Sequence, residues 1–422
     1  MAEPETAPLP LEDVLEALDL PRAAPGTGLL ERLFLRFNAR VPFETASKIL
    51  RDAEPLAASE KPRRPEIFWR EHLESGTGGT CFARVAAFHA VLEALGFRSR
   101  KVVGRVVQDF DHAALVVETE RGPILCDVGF PLPALLPARA GEVETPLGPV
   151  RVSSTNRGFS VELGGVPEGP QRLEIFLADV PESDYARLWA ATFRPGSKFL
   201  AEVGLRRDLE NRVIRFARGR VHVDDAHARL SVPLPAPRAP RIEELFGVER
   251  GILERAFARA GDPEAGTADV ELTAYLEVAA APEEAFDAIA SPSGYRRLLA
   301  GVADVVSEET GENGKAFRLR LRPPGGSAPP GASADAAGAG LEDRVAVDRE
   351  RLRLDIARTS GSARAASSFR AERRGGRSYL SRGALLPGPR EDLLRNDSLR
   401  GRLAGALAVD LLGWARLLSA RP

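Results

Sequence analysis

The 422-residue sequence predicts an α+β chain built from several domains. Three observations predict it. Up to residue 98 the apolar residues recur at helical spacing, and from Ser99 they fall into short runs separated by Gly, Pro and Asn turns. After a Gly/Pro-containing break at 260–266, a second strand and helix pattern starts afresh and ends in a long apolar stripe. The length also exceeds one ordinary domain.

Taken in order, EDVLEALDL, GLLERLFLRFNAR and the stretch beginning at Cys81 read as helices, broken by Pro21, Pro25, Pro42 and Pro62. They predict a helical domain over 1–98. Next come SRKVVGRVV, HAALVV, PILCDVG, GPVRVSST, GFSVELGG and QRLEIFLA, which predict an antiparallel sheet or small barrel over 99–190. DYARLWAATF then reads as a helix leading into a mixed part over 191–262, with RVIRFARGRVHV and ARLSVPL as strands and IEELFGVERGILERAFARAG as a closing helix. Residues 268–422 form a separate α+β domain. Its VELTAYLEVAA strand leads into a helix at Pro282, where Glu283 and Glu284 occupy the first turn. Further strands are expected at VADVVSEET, KAFRLRLRP, LEDRVAVDRERLRLDIAR, ASSFRAERR and SYLSRGALLP, with a flexible low-complexity insertion at 323–340. Leu399, Leu403, Leu407, Leu411, Trp414 and Leu418 make one stripe on a long final helix.

Composition narrows the function classes. A 44% hydrophobic, 28% charged chain with a formal net charge of −2 is that of a soluble globular protein, and it argues against wholesale nucleic-acid binding. Between Leu341 and Arg402 there are 15 Arg against 9 acidic residues, which reads as a solvated face shaped by codon usage. The acidic, Pro-rich start has no apolar core of a secretory signal, and no apolar run reaches the roughly 18 residues of a membrane span. A cytoplasmic protein is expected. Two cysteines in so long a chain make no disulfide framework, and His72, His89, His222 and His227 show no metal-ligand pairing. No metal is expected.

The stretch GGTCFARVAAFHAVLEALGF, residues 78 to 97, carries the chemistry. Gly78 and Gly79 allow close backbone approach, Thr80 suits an N-cap, and Cys81 falls in the first turn of an amphipathic helix that ends at Gly96. The positive end of the helix dipole favours a thiolate there. On this helix alone, Cys81 could equally be a small buried apolar residue. The partner that would decide is His112, which opens the strand DHAALVV. If the hairpin loop spans Glu118 to Arg121, His112 lies directly opposite Asp127 on one face and Cys126 points to the other. A carboxylate orienting an imidazole that takes a thiol proton is nucleophile chemistry. A slip of one residue would leave only a His and an Asp at a hairpin rim.

These residues carry a resemblance. GGTCF, DHAALVV and LCDVGF resemble the catalytic segments of the arylamine N-acetyltransferase family, a cysteine–histidine–aspartate acyl transferase family. RFNARVPFETASKIL, residues 36 to 50, is similar to its early helical motif, and residues 194 to 221 to its entry into a third domain, so the likeness spans about residues 10–260. It implies a helical bundle, an antiparallel β-barrel and an α/β lid arranged as in cysteine proteases. It also implies Cys81, His112 and Asp127 as catalytic residues, and Phe43, Phe130 and Phe199 as lining the acceptor pocket. Acetyl-CoA would be the acyl donor, and an arylamine or hydrazine the acceptor, through an acyl-cysteine and ping-pong kinetics. The sequence departs from the family at Thr77, where an Arg is usual, at Ala83 and Val85, where Glu and Asn are, and at Thr45, where an Asn follows Pro-Phe-Glu. Residues 268–422 are similar in pattern to START-like helix-grip domains, which implies a hydrophobic ligand. With such a partner, an amide synthase using a polyketide-type thioester is one alternative. A catalytically dead scaffold with a ligand-carrying C-terminal domain is the other.

Overall fold

The computed structural model describes residues 8–130, 132–164, 172–263, 266, 269–299, 304–310, 316–322, 341–360, 363–374, 377–386, 390 and 392–419. The expected insertion at 323–340 lies outside them. The chain divides into two units, one of residues 1–226 and 233–267, the other of residues 227–232 and 268–422.

The first unit opens with helices α1 (Leu11–Ala17) and α2 (Thr27–Arg40), the short strand β1 (Phe43–Glu44), α3 (Ala46–Ala53), α4 (Pro65–Ser75) and α5 (Cys81–Ala94). Helix α5 is expected to be amphipathic, and it is not. Residues 81–89 are all buried, so the helix runs through the core with Arg84 inside it. Phe37 of α2 packs on Phe88 of α5 and Trp69 of α4, with ring centroids 4.8 and 5.8 Å apart. Trp69 Nε1 donates to the Ala87 carbonyl at 3.0 Å, so the indole nitrogen is satisfied inside the core.

The strands β2 (Ser99–Arg105), β3 (Asp109–Thr119), β4 (Gly122–Cys126), β5 (Leu136–Pro137), β6 (Gly141–Val143), β7 (Val150–Ser154), β8 (Gly158–Leu163) and β9 (Arg172–Phe176) form one antiparallel sheet. Its order is β5-β4-β3-β2-β9-β8-β7-β6, the near-closed barrel that the turn spacing predicts. Six of these strands fall on the runs read from sequence. After α6 (Glu182–Ala191), β10 (Leu205–Leu209), β11 (Arg212–Ala217) and β12 (Arg220–Asp224) extend β1 into a second antiparallel sheet. RVIRFARGRVHV, expected as one strand, is therefore a hairpin. Arg218 and Gly219 both take positive φ, 51° and 71°, the backbone of a tight turn that matches strand twist. The closing helix is likewise two, α7 (Ala239–Phe246) and α8 (Arg250–Ala260), because Gly247 ends the first in the left-handed conformation.

In the second unit, strand β13 (Ala228–Pro233) pairs with β14 (Val270–Val278), although the sequence places ARLSVPL in the preceding part. Helices α9 (Pro282–Asp287) and α10 (Pro292–Leu299) follow. Strands β15 (Asp304–Thr310), β16 (Ala316–Arg322), β17 (Leu341–Asp348), β18 (Arg353–Ser360), β19 (Ala363–Arg374) and β20 (Arg377–Leu386) complete an antiparallel sheet ordered β13-β14-β20-β19-β18-β17-β16-β15. LEDRVAVDRERLRLDIAR is two of these strands. After the short α11 (Asp392–Arg395), the long helix α12 (Asp397–Ser419) packs on β14 and β20 and buries Leu411 and Trp414 from the expected stripe. A buried polar cluster sits in this unit. Asp343, fully buried, accepts two bonds from Arg358 at 2.6 and 2.8 Å and one from the Tyr295 hydroxyl at 3.1 Å.

Candidate active site

Cys81 is the first residue of α5 and is buried, at 6% exposure. Thr80 occupies the N-cap with extended backbone, as its place predicts, but its side chain makes no capping hydrogen bond. The loop before it is held from elsewhere. The Glu44 carboxylate accepts the Gly78 N–H at 3.2 Å and the Ser47 N–H at 2.8 Å, and Arg63 donates to the Gly78 carbonyl. Phe43 forms a bridge with Gly79. A side chain at Gly78 would put its Cβ 1.8 Å from the Pro42 carbonyl oxygen, so this approach is open to glycine alone.

The hairpin carrying the histidine differs in register from the expected one. Thr119 pairs with Gly122 and Leu115 with Cys126, so the loop is Glu120 and Arg121 only. The Thr119 hydroxyl donates to the Gly122 carbonyl at 2.7 Å and accepts the Arg121 N–H at 3.2 Å, closing a turn that Gly122 permits with φ 98°. Glu118, exposed, and Thr119, half-buried at the strand end, are strand residues rather than loop. The shift is even, so each side chain keeps its face. His112 therefore stands diagonally to Asp127, just past the end of β4, instead of opposite it, and Cys126 is buried on the other face.

The two groups still meet. His112 Nε2 lies 2.7 Å from Asp127 Oδ2, with both residues buried, and Asp127 Oδ1 accepts the N–H groups of Gly129 and Phe130 at 3.0 and 2.8 Å. Cys81 lies near the same ring and interacts with it electrostatically. Gly129 gauges this closeness, since a Cβ there would fall 3.0 Å from Cys81 Cβ, 3.2 Å from His112 Cε1 and 2.3 Å from the Ala113 carbonyl oxygen. Burial alone would push the imidazole pKa down. The charge and hydrogen bond of Asp127, with a smaller contribution from Cys81, outweigh it and raise the ring from 6.5 to about 10. The Cys81 thiol also lies 3.8 Å from the Asp111 carbonyl oxygen, while the Asp111 carboxylate gathers the N–H groups of Val106, Val107 and Gln108.

The three expected aromatic residues are half-buried. Phe130 stands edge-on to His112, centroids 6.4 Å apart, and Phe43 packs edge-on against Phe199 at 5.5 Å. Sequence reading gave Arg84 no role. It is fully buried, donates to Val128 O at 2.7 Å, to Asn38 Oδ1 at 2.8 Å and to Val41 O, and so ties the segment after Asp127 to the helix of Cys81. Burial pushes its pKa down to about 9, which leaves it charged at neutral pH. The signal was there: a lone arginine amid the apolar residues of CFARVAAF. Of the family departures, Thr45 uses its hydroxyl to bond Glu202 O and Gly204 N at 2.7 and 2.9 Å, and the Thr77 hydroxyl is buried without a partner. Among the described residues, no group of three or more His, Cys, Asp or Glu could hold a metal, and no helix is long and apolar enough to cross a membrane.

Residues 28–221 match the family model described as N-acetyltransferase. An arylamine N-acetyltransferase of Escherichia coli is 28% identical over 190 residues, 42% of this chain and 65% of that protein. The chain thus spans just under two thirds of this curated relative. Among solved structures, the arylamine N-acetyltransferase of M. tuberculosis has a TM-score of 0.52 at 23% identity, over 58% of this chain and 98% of that one. The Mycobacterium marinum enzyme, solved in complex with CoA, has a TM-score of 0.51 at 22% identity, over 58% of this chain and 97% of that one. At such identities the likeness is one of fold.

Proposed function

We propose, on the premise that residues 28–221 are an N-acetyltransferase-family segment, that the first unit moves an acyl group from a CoA thioester to an amine through Cys81. The observation that carries this reading is the 2.7 Å His112–Asp127 contact with Cys81 against the same imidazole. In the resting site Asp127 holds Nε2–H and keeps the ring protonated, and an imidazolium beside sulfur stabilises its anionic form. The proton released by the thiol thus already sits on the imidazole before attack.

The thiolate adds to the thioester carbonyl. First-turn N–H groups of α5, which the Thr80 side chain does not cap, stabilise the oxyanion. As the tetrahedral adduct collapses, the C–S bond to CoA breaks, and CoA leaves as a thiol with the imidazolium proton. An amine then attacks the acyl-cysteine, His112 takes its proton, and the amide and the free Cys81 result. Phe43, Phe130 and Phe199 offer flat apolar faces that suit an aromatic amine or hydrazine. Acetyl-CoA is the simplest donor. CoA release from acetyl-CoA, followed with and without an arylamine, tests this: the rate depends on Cys81, and equal rates for the wild type and Cys81→Ala refute it.

For the second unit the reading is a helix-grip carrier of a hydrophobic ligand. The packing of α12 on β14 and β20, and an aromatic interior in which Trp414 stands 5.5 Å from Phe369, support it.

A further inference from the structure

One buried cation takes no part in the mechanism above. Lys48 of α3 is only 5% exposed. Its ammonium donates to the Thr192 hydroxyl at 2.8 Å and lies 4.9 Å from the centre of the Phe193 ring and 5.8 Å from that of Phe199. A buried ammonium needs a replacement for its lost hydration, and here one acceptor and two ring faces from the same stretch, residues 192–199, provide it. Burial pulls the Lys48 pKa down to about 8, against the opposing pull of Cys81 and Asp52, so at neutral pH the group is charged and attracts both rings.

That stretch follows α6 as an irregular connection. Its main-chain bonds across 194–200 are local, the Ser197 N–H to the Arg194 carbonyl at 3.1 Å and the Leu200 N–H to the Ser197 carbonyl at 3.0 Å, and residues 194–196 are exposed, Gly196 with φ 81°. Where it sits therefore depends on its side-chain contacts. Within it, Phe199 packs edge-on against Phe43 at 5.5 Å, and Phe43 bridges to Gly79, two residues before Cys81. A chain of contacts thus runs from the Lys48 ammonium through Phe199 and Phe43 to the loop that carries the nucleophile.

We propose that Lys48 is a positioning residue for the acceptor amine: it holds residues 192–199 so that Phe199 stays against Phe43 and offers a fixed flat face to an aromatic ring. The inference rests on the acyl-transfer reading, with those two rings lining its acceptor pocket, and adds the group that sets them. An amine without a ring gains nothing from the arrangement. Preference for aromatic over ring-free acceptors then depends on a buried charge that takes no part in bond making.

The test reads the second half-reaction alone. Enzyme is loaded at Cys81 with acetyl-CoA to a complete mass gain, freed of CoA, and discharged by 4-methoxyaniline or by hydrazine. Lys48→Met keeps the length and removes the charge. It is expected to lower kcat/KM for 4-methoxyaniline about fivefold relative to hydrazine, through KM, as the loss of one aromatic contact predicts. Phe199→Leu is expected to do the same, and the double variant to be no worse than Phe199→Leu, because the lysine acts through the ring. Equal losses for both nucleophiles in Lys48→Met overturn the proposal, as does an unchanged ratio, and additive losses in the double variant overturn the route through Phe199. If Lys48→Met does not fold or load, Thr192→Val reads the same hold by removing the acceptor of the ammonium: a lowered ratio supports the proposal and an unchanged one overturns it. No mass gain on Cys81 in the wild type overturns acyl transfer and this inference with it, whereas mass gain with an unchanged ratio in the variants overturns this inference alone.

Discussion

Replacing Asp127 by Asn tests the electrostatics of the site at a single atom. The amide oxygen can still accept the N–H groups of Gly129 and Phe130, so the turn keeps its hydrogen bonds. Its nitrogen, however, now donates to His112 Nε2, which must be unprotonated to accept. That places the ring proton on Nδ1, the nitrogen left to act as a base. The charge that raises the ring is gone as well, and burial is left unopposed. A folded pKa of about 10 against 6.5 unfolded corresponds to an interaction of order 5 kcal/mol in favour of the imidazolium. Losing it drops the protonated fraction at pH 7.5 from nearly complete to below about a tenth.

The assay is carbamidomethylation of Cys81 by iodoacetamide between pH 5 and 9, read by mass. At pH 7 Asp127→Asn is expected to react at least ten times more slowly than the wild type. Stability moves with the same group. Because the folded pKa is raised, the contribution of His112 is fully present below pH 6.5 and is lost as pH climbs through about 10, a slope the variant lacks. An unchanged alkylation profile in Asp127→Asn refutes the account.

Two other substitutions probe the scaffold. Arg84→Met leaves the Val41 and Val128 carbonyls and Asn38 Oδ1 buried without their donor, and is expected to cost about 3 to 5 kcal/mol in urea unfolding; a cost under about 1 kcal/mol would show that the three bonds are dispensable. Gly129→Ala forces a Cβ to within 2.3 Å of the Ala113 carbonyl and against both Cys81 and His112. It should lower acylation of Cys81 at least a hundredfold while destabilising the fold by about 1 to 3 kcal/mol, and wild-type acylation kinetics would show that the segment yields freely.

Much of this was legible in one dimension, for reasons that differ by residue. The place of Cys81 at a helix start was legible because a Gly-Gly-Thr turn runs into an apolar helix, though that helix alone left a buried apolar role equally open, and the strand runs of the first sheet because alternation survives burial. Paired positions were harder. Hairpin register depends on whether Thr119 uses its hydroxyl to tighten the turn, and a polar strand end looks the same as a loop. RVIRFARGRVHV hid its turn at Arg218, since an arginine with positive φ carries no compositional mark. Arg84, Glu44 and Lys48 escaped because a charge on an apolar segment reads as an exposed face until its partners, 34 to 144 positions away, are brought beside it.

The narrow seat of residue 129 bears on how this chain tolerates change. Since a missing side chain sets how near sulfur and ring can come, the main chain itself serves as the spacer of the reaction. The side chains of Thr45, Thr77, Ala83 and Val85 then need not set that distance. The gap between the two groups is then a property of the backbone path rather than of any side chain that lines it.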